Sequence, residues 1–260
     1  MYNYLEGIWD ARYFWTHLAL SDLRSRWRRS FFGIFWSFLQ PLGMTLLISF
    51  VFSRLFHTDI TRYAPYILSG ILMWDFLIFN IAGGALSFVQ ADAYIRQYKH
   101  PLAIYTLRNI ITGLIVLVMG MIGLVLWVLV VMPENFGLCW IAVLLVFPIL
   151  VLMVWPLATL MAYIGTRFRD LAPALTLIMQ AFWFASPVYF EAKMFREGGL
   201  SKLVDYNPIY HLLQIVRAPL LQGEWPTLEN YSFCIATGVL FFILTAWVGL
   251  TAEKRVIFYL

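Results

Sequence analysis

Residues 21–41 read SDLRSRWRRSFFGIFWSFLQP. Four arginines, Arg24, Arg26, Arg28 and Arg29, abut an aromatic run of Phe31, Phe32, Phe35, Trp36 and Phe38. Fixed positive charge set directly against a long apolar segment marks a membrane boundary, and Lys and Arg beside a span stay on the cytoplasmic face. The stretch thus gives both a depth and a side, and the rest of the chain can be threaded from it.

The 260 residues are 62% hydrophobic and 12% charged, with a mean hydropathy of +0.79. Soluble domains carry about 25% charged residues, so the composition is that of a membrane protein. The length accommodates roughly six spans of ~20 residues with their connections. The net charge of +4 is too small to point to nucleic acid. A cleavable signal is not expected, because the first thirty residues are mixed polar and amphipathic and the first apolar run is too long for a signal core. Cys139 and Cys234 sit in apolar contexts without metal-like spacing and read as inert buried thiols.

Taken in order, residues 4–29 have the pattern of an amphipathic helix lying along the membrane. At helical spacing Leu5, Ile8, Trp9, Tyr13, Trp15, Ala19, Leu20, Leu23 and Trp27 share one side; Glu6, Asp10, His17, Ser21, Arg24, Ser25 and Arg28 share the other. Phe14 and Leu18 break the pattern, so the polar side either meets a partner or belongs to a plain surface anchor. The chain therefore divides into an interfacial helix, 1–30, and a transmembrane domain, 31–260. Spans are expected at about 31–52, 64–89, 109–132, 138–165, 172–190 and 231–250. Pro41 is expected to kink the first, and Pro65 to sit in the first turn of the second, where a missing N–H costs nothing. A polar tip follows at 54–62. Residues 91–101 form a polar loop, and 191–230 is the one long segment between spans. Within it 206–221 is apolar, too short to cross, and cut by Pro208 and Pro219; it suits short interfacial or re-entrant helices. The fold class read from sequence is an all-α integral membrane protein with six transmembrane helices.

Six spans put both termini on one side. With the termini inside, Arg12, Arg24, Arg26, Arg28, Arg29, Arg96, Lys99, Arg108, Arg167, Arg169, Lys254 and Arg255 are cytoplasmic, twelve of the eighteen basic residues. Arg54, Arg62, Lys193, Arg196, Lys202 and Arg217 are left outside. No internal repeat is visible, which argues against an inverted-repeat secondary transporter.

Much chemistry is absent. None of the four lysines follows a glycine, so there is no phosphate-binding G-x-x-x-x-G-K-[ST]. There is no G-x-S-x-G and no HExxH, and His17, His57, His100 and His211 are scattered. Asp75 is the one acid well inside a span. It reads either as a functional group or as a partner for water or a neighbouring helix, and an ion-coupled transporter would carry more such charges. Aromatic content is high at 18%. Membrane-interface belts account for Trp15, Trp27 and Tyr63, but Phe35–Phe38 and Phe182–Phe184 reach toward the middle of their spans. Aromatic faces stack on the C–H faces of sugars, and they also simply fill cores.

Three blocks carry a family resemblance. In 21–42, Arg28, Gly33, Trp36 and Pro41 match the pattern R-x-x-x-x-G-x-x-W-x-x-x-x-P. GTRFRDLAPALTLIMQAFWFASPVYF at 165–190 has Phe168-Arg169-Asp170 followed by an aromatic helix ending Ser186-Pro187-Val188. YNPIYHLLQIVRAPLLQG at 206–223 has Tyr206-Asn207-Pro208 and Arg217. In this order the chain resembles the bacterial type-2 ABC exporter permeases that move O-antigen, capsule or teichoic acid.

The resemblance implies a half-transporter in the bacterial inner membrane with both termini cytoplasmic. It implies two copies of the chain forming a channel, two copies of a separate ATP-binding subunit, and a lipid-linked polysaccharide as substrate. No cofactor is expected in this chain, since ATP and Mg would sit on the partner, and the chain is not expected to be an enzyme. By the same resemblance Arg24, Arg28, Arg29, Tyr94, Arg96, Tyr98 and Lys99 contact the ATPase through the first helix and the 91–101 coupling loop. Phe31, Phe35, Trp36, Phe38, Phe182, Trp183, Phe184 and Tyr189 line the channel. Gly33, Pro41, Arg169, Asp170, Pro187, Asn207 and Pro208 are structural motif positions. The charged 191–202 departs from the pattern. O-antigen is the first expectation. Alternatives are a capsule or teichoic acid exporter, a drug or small-lipid exporter of the same fold and, from another class, a membrane-embedded glycosyl- or acyltransferase, for which no clustered acid, base or metal site is visible.

Overall fold

The chain enters as two helices, α1 (Tyr2–Asp10) and α2 (Arg12–Trp27), broken at Ala11. The computed structural model describes residues 2–56 and 59–260, so residues 57 and 58 of the expected polar tip, with His57, lie outside the described residues. The break is held by the indole of Trp15, which donates to the Ile8 carbonyl at 3.0 Å. It also changes which face is buried. Ile8, Ala11, Leu18, Ala19 and Leu23 are buried, whereas Leu5, Trp9, Tyr13 and Leu20 remain exposed. The single apolar face expected over 4–29 is therefore two faces, one packed on protein and one open. Leu18, which broke the sequence pattern, belongs to the packed one.

The path from 21 to 41 is also interrupted. Arg28 is extended, Arg29 is left-handed (φ 67°) and Gly33 is left-handed (φ 51°). This corner tolerates glycine at 33 and strains the backbone at 29. The first span, α3 (Trp36–Phe56), starts after a 3-10 turn at Gly33–Phe35. It begins five residues later than the 31 expected, and Phe31 and Phe32 belong to the corner.

Next come α4 (Ile60–Gly84), α5 (Ser87–Gln90), α6 (Asp92–Gln97) and α7 (Ala103–Val131). The Asp59 carboxylate caps α4 by accepting from the Thr61 N–H at 2.9 Å, and this bond lowers its pKa below the usual carboxylate range. Capping at 59 starts the helix earlier than the 64 expected, so Pro65 lies inside it rather than in its first turn. After 3-10 turns at Pro133–Asn135 and Leu138–Leu145 come α8 (Val146–Arg167) and α9 (Leu171–Ala185). The far segment holds α10 (Ala192–Glu197), α11 (Ser201–Asp205) and α12 (Pro208–Arg217), then a π-wound turn, Ala218–Gln222. The last helix is α13 (Leu228–Tyr259), and no strand occurs among the described residues.

Among the described residues, five helical segments are long and apolar enough to cross a membrane: Trp36–Leu55, Ile60–Gly84, Ala103–Val131, Leu138–Arg167 and Leu228–Glu253. The expected fifth span, α9, is an apolar helix of only 15 residues, fewer than the ~20 of a full helical crossing. Yet the chain from Gly165, packed on Ala85, to Pro187, whose carbonyl meets Arg217 beside Tyr66, runs the length of α4. α4 is the axis: 78% of its apolar window is buried, against 22% for the first span and 11% for the last. α3, α7, α8 and α9 pack on α4, and α13 packs mainly on α8. Without a hydrophobic drive between helices in lipid, close approach of small residues does this work. Gly120 of α7 lies under Leu72 of α4, and Gly238 of α13 lies against Leu152 of α8.

One side chain ties the far end together. Arg217 is 3% exposed, although its position between spans placed it among the outside charges. Its Nε donates to Ser69 Oγ (3.0 Å), Nη1 to the Pro187 carbonyl (2.6 Å), and Nη2 to the carbonyls of Val188 (2.8 Å) and Tyr66 (3.1 Å). Its guanidinium carbon also lies 3.6 Å from the Tyr66 ring centroid. Asn207 completes the junction. Its carbonyl caps α12 by accepting from Ile209 N–H (2.9 Å), while its amide donates to Ser186 Oγ (2.8 Å). The Ser186-Pro187 and Asn207-Pro208…Arg217 blocks, far apart in sequence, thus meet in one contact.

A Cβ on Gly70 would lie 2.7 Å from the Val188 oxygen and 2.8 Å from Arg217 Nη2, while one on Gly83 would meet nothing within 4 Å. Gly70→Ala is expected to destabilise the protein by about 1–3 kcal/mol, the usual cost of overpacking. Gly83→Ala should leave stability unchanged, with both read as thermal melting of the purified chain in detergent.

Candidate functional site

The basic end of the bundle is assembled around Phe14. Its ring lies 6.0 Å from Tyr94, 5.9 Å from Tyr98, 5.1 Å from His100 and 6.5 Å from Tyr105. Phe14, noted in sequence only as out of phase, therefore joins α2 to the 91–101 loop and to the start of α7. Tyr94 and Tyr98 pack on it with their outer edges exposed. Arg96 pairs with Asp92 at 2.6 Å, and Lys99 is exposed. Arg24, Arg28 and Arg29 are exposed on the same stretch of chain.

A second tie, invisible in sequence, joins α2 to α7. Arg108 Nε lies 2.9 Å from Asp22 Oδ2, with the Arg108 side chain only 8% exposed. The Nε–H is off the line of a hydrogen bond, so the contact is an ion pair. Burial raises the Asp22 pKa above the usual carboxylate range, against the opposing pull of Arg108. The end is thus one aromatic and charged platform built from three segments.

The aromatic candidates separate into two groups. Phe31 (94%), Phe35 (67%), Trp36 (49%), Phe182 (50%) and Phe184 (67%) are exposed, and Phe31, Phe32 and Trp36 form an edge-to-face run at 5.0 and 5.5 Å. Trp183 does not share that surface. It is wedged edge-on between Trp74 (4.9 Å) and Tyr189 (4.8 Å). Tyr189 is half-buried and in turn reaches Phe52 at 6.4 Å. Phe38 packs against Gly123 of α7. These three half-buried rings brace α3, α9 and α7 against their neighbours. The cause is helical phase: on α9 only Ala172, Leu175 and Met179 are buried, and Trp183 continues that stripe one turn on while Phe182 and Phe184 flank it.

Pro41, Thr45 and Ser49 form the buried stripe of α3. Pro41 also lines a cavity of about 310 Å³ with Arg26, Ser37, Gln40 and Asp75. Asp75 therefore opens on a polar recess beside the first span, with Arg26, which lies 5.5 Å over the Phe79 ring, as the cation acting on it. Arg169 and Asp170 are exposed and form no ion pair among the described residues. No His, Cys, Asp and Glu cluster fit for a metal occurs among the described residues, and both cysteines are buried free thiols.

A helical, multi-pass bundle with an aromatic and basic platform at one end, and with buried polar groups that brace its helices, has the build of a membrane permease. The chain belongs to the ABC-2 type transporter family, whose model matches residues 14–221. It is 23% identical over 242 residues to an O-antigen export system permease protein of Myxococcus xanthus, covering 92% of each chain. It is 24% identical over 236 residues to one of Klebsiella pneumoniae, covering 90% of this chain and 88% of that one. A polysialic acid transport protein of Escherichia coli is 20% identical over 243 residues, covering 91% of each.

Phe14→Ala is expected to remove about 2 kcal/mol of packing, less than a fully buried Phe because the site is half open. Amide exchange over 92–100 should quicken while that of mid-α7 stays unchanged; equal quickening in both would show that Phe14 has no such local role.

Proposed function

We propose that this chain is the membrane subunit of an ATP-driven exporter that moves a lipid-linked cell-surface polysaccharide across the bacterial inner membrane. O-antigen is the first candidate, with capsule or teichoic acid behind it. The observation that carries the reading is the alignment along nearly the whole length of chains named for O-antigen export, in a sequence that lacks a nucleotide-binding motif of its own. ATP and Mg then belong to a separate ATP-binding subunit, present in two copies beside two copies of this chain.

The positive-inside rule puts the basic end in the cytoplasm, with both termini. The platform around Phe14, with Arg24, Arg28, Arg29, Tyr94, Arg96, Tyr98 and Lys99, is the docking surface for the ATPase. The exposed aromatic residues Phe31, Phe35, Trp36, Phe182 and Phe184 face the second copy across the channel. Phe38, Trp183 and Tyr189 brace that wall from behind. An aromatic wall lets a polar polymer slide without a deep well, since C–H faces of many sugars stack on it alike.

Deletion of the gene should abolish surface polysaccharide and accumulate the glycan inside. Arg28→Ala should leave ATP hydrolysis but uncouple it from export, whereas Trp36→Ala should slow passage of the polymer with coupling intact. Surface polysaccharide that persists without this chain, with no ATPase subunit copurifying, would overturn the reading.

A further inference from the structure

At the far end of the bundle, away from the basic platform, lies a cavity of about 560 Å³. It is within the ~300–1,000 Å³ typical of small-ligand sites. Its walls come from the start of α4, the loop after α7, the start of α10, and α12. Neither the family match nor the aromatic channel accounts for it.

Its aromatic lining is preorganised. Tyr63 and Tyr66 are stacked, with ring centroids 6.1 Å apart and planes 8° from parallel. Each ring is pinned at its tip. Tyr63 donates its hydroxyl to the Tyr189 carbonyl (2.7 Å), and Tyr66 donates to that of Phe190 (3.0 Å). Arg217 covers one face of Tyr66 at 3.6 Å from its ring centroid. Tyr210 lines the cavity from α12. Rings that cannot swing away lose little entropy when a ligand settles against their open edges.

The polar lining complements this. Glu191 is exposed, and its carboxylate makes no hydrogen bond or ion pair among the described residues. Gln214 donates to the Tyr210 hydroxyl at 3.1 Å, which leaves its carbonyl available. Arg62 and Glu134 pair at 3.9 Å with both side chains largely exposed, a contact weak enough to yield to a ligand. Planar carboxylate, amide and guanidinium groups each engage pairs of neighbouring hydroxyls. The cavity holds three carboxylates (Asp59, Glu134, Glu191) and three cations (Arg62, Lys193, Arg217). Arg217 is already committed to carbonyls, and Arg62 and Lys193, each in a weak exposed pair, are outnumbered by the three carboxylates. No surplus positive charge remains for a phosphate or an acidic sugar, so an uncharged ligand fits.

The cavity also adjoins the ends of the two spans with exposed aromatic faces. Tyr63 stacks on Phe52 at the end of α3 (6.3 Å), and Phe52 stacks on Phe190, just past α9 (5.7 Å). We propose that this cavity is a binding subsite for uncharged pyranose units of the exported glycan, holding the emerging chain at the outer mouth. The assignment of the sugar's source rests on the export function proposed above; the sugar chemistry rests on the cavity.

The test uses the full chain in lipid nanodiscs and saturation-transfer NMR with methyl mannoside, methyl galactoside and methyl rhamnoside at millimolar concentration, beside methyl glucuronide. Transfer to ring C–H protons of at least one neutral glycoside is expected, with none to the glucuronide. Glu191→Gln, an exposed isosteric change, should weaken binding about tenfold, as for one charge-assisted hydrogen bond; Tyr210→Leu should abolish it. Absence of transfer from every neutral glycoside, equal transfer to the glucuronide, or transfer unchanged in both variants overturns the subsite. Loss of export on gene deletion with no glycoside binding would sink the subsite alone. Glycoside binding with normal export in the deletion strain would sink the export reading alone.

Discussion

The far half of the molecule depends on one buried guanidinium. Arg217 has no carboxylate partner among the described residues and is held by the carbonyls of Tyr66, Pro187 and Val188, by Ser69 Oγ and by the Tyr66 ring. A charge removed from water survives only if its donors are satisfied. Satisfying them here requires that α4, the end of α9 and α12 stand in one fixed relation. A lysine could not do this, since its ammonium lacks the planar fork that reaches several acceptors at once. The same contact accounts for the shortness of α9. Its chain leaves the helix at Ser186, and the Pro187 and Val188 carbonyls turn toward Arg217.

The opposite end is organised by aromatic packing more than by charge. Phe14 gathers Tyr94, Tyr98, His100 and Tyr105, and Asp22–Arg108 pins α2 to α7. These contacts tie α2 and the 91–101 loop to α7, and α7 packs on α4. α4 also carries α3, α9 and, through Ser69 and Tyr66, the Arg217 junction. The two ends are connected by the one helix that is buried on nearly every side.

Several features were legible in the chain itself because they depend on composition and short spacing. The all-helical membrane character, the basic boundary at Arg24–Arg29, the short helices within 191–230 and the three family blocks needed no coordinates. Helix starts were less legible. Asp59 extends α4 backward past Pro65, and the left-handed corner at Arg29 and Gly33 delays α3, effects set by single caps and backbone strain. The sides of the aromatic residues were not legible either. Phe182, Trp183 and Phe184 are adjacent in sequence, yet Trp183 packs inward while its neighbours face out, because consecutive helical residues point about 100° apart and only the packing partner says which is in.

The sequence by itself determined that this is a multi-pass helical permease with an arginine cluster at the boundary of its first span, because hydropathy and arginine placement respond to the bilayer alone. Only the tertiary structure decided that Arg217 is a buried brace and not a surface charge. It alone decided that Phe14 is the hub of the basic platform, and that Tyr63, Tyr66, Tyr210 and Glu191 share one cavity. Those facts depend on which distant segments meet, and in a bundle held by close packing of small residues that is fixed by shape, which no local pattern records.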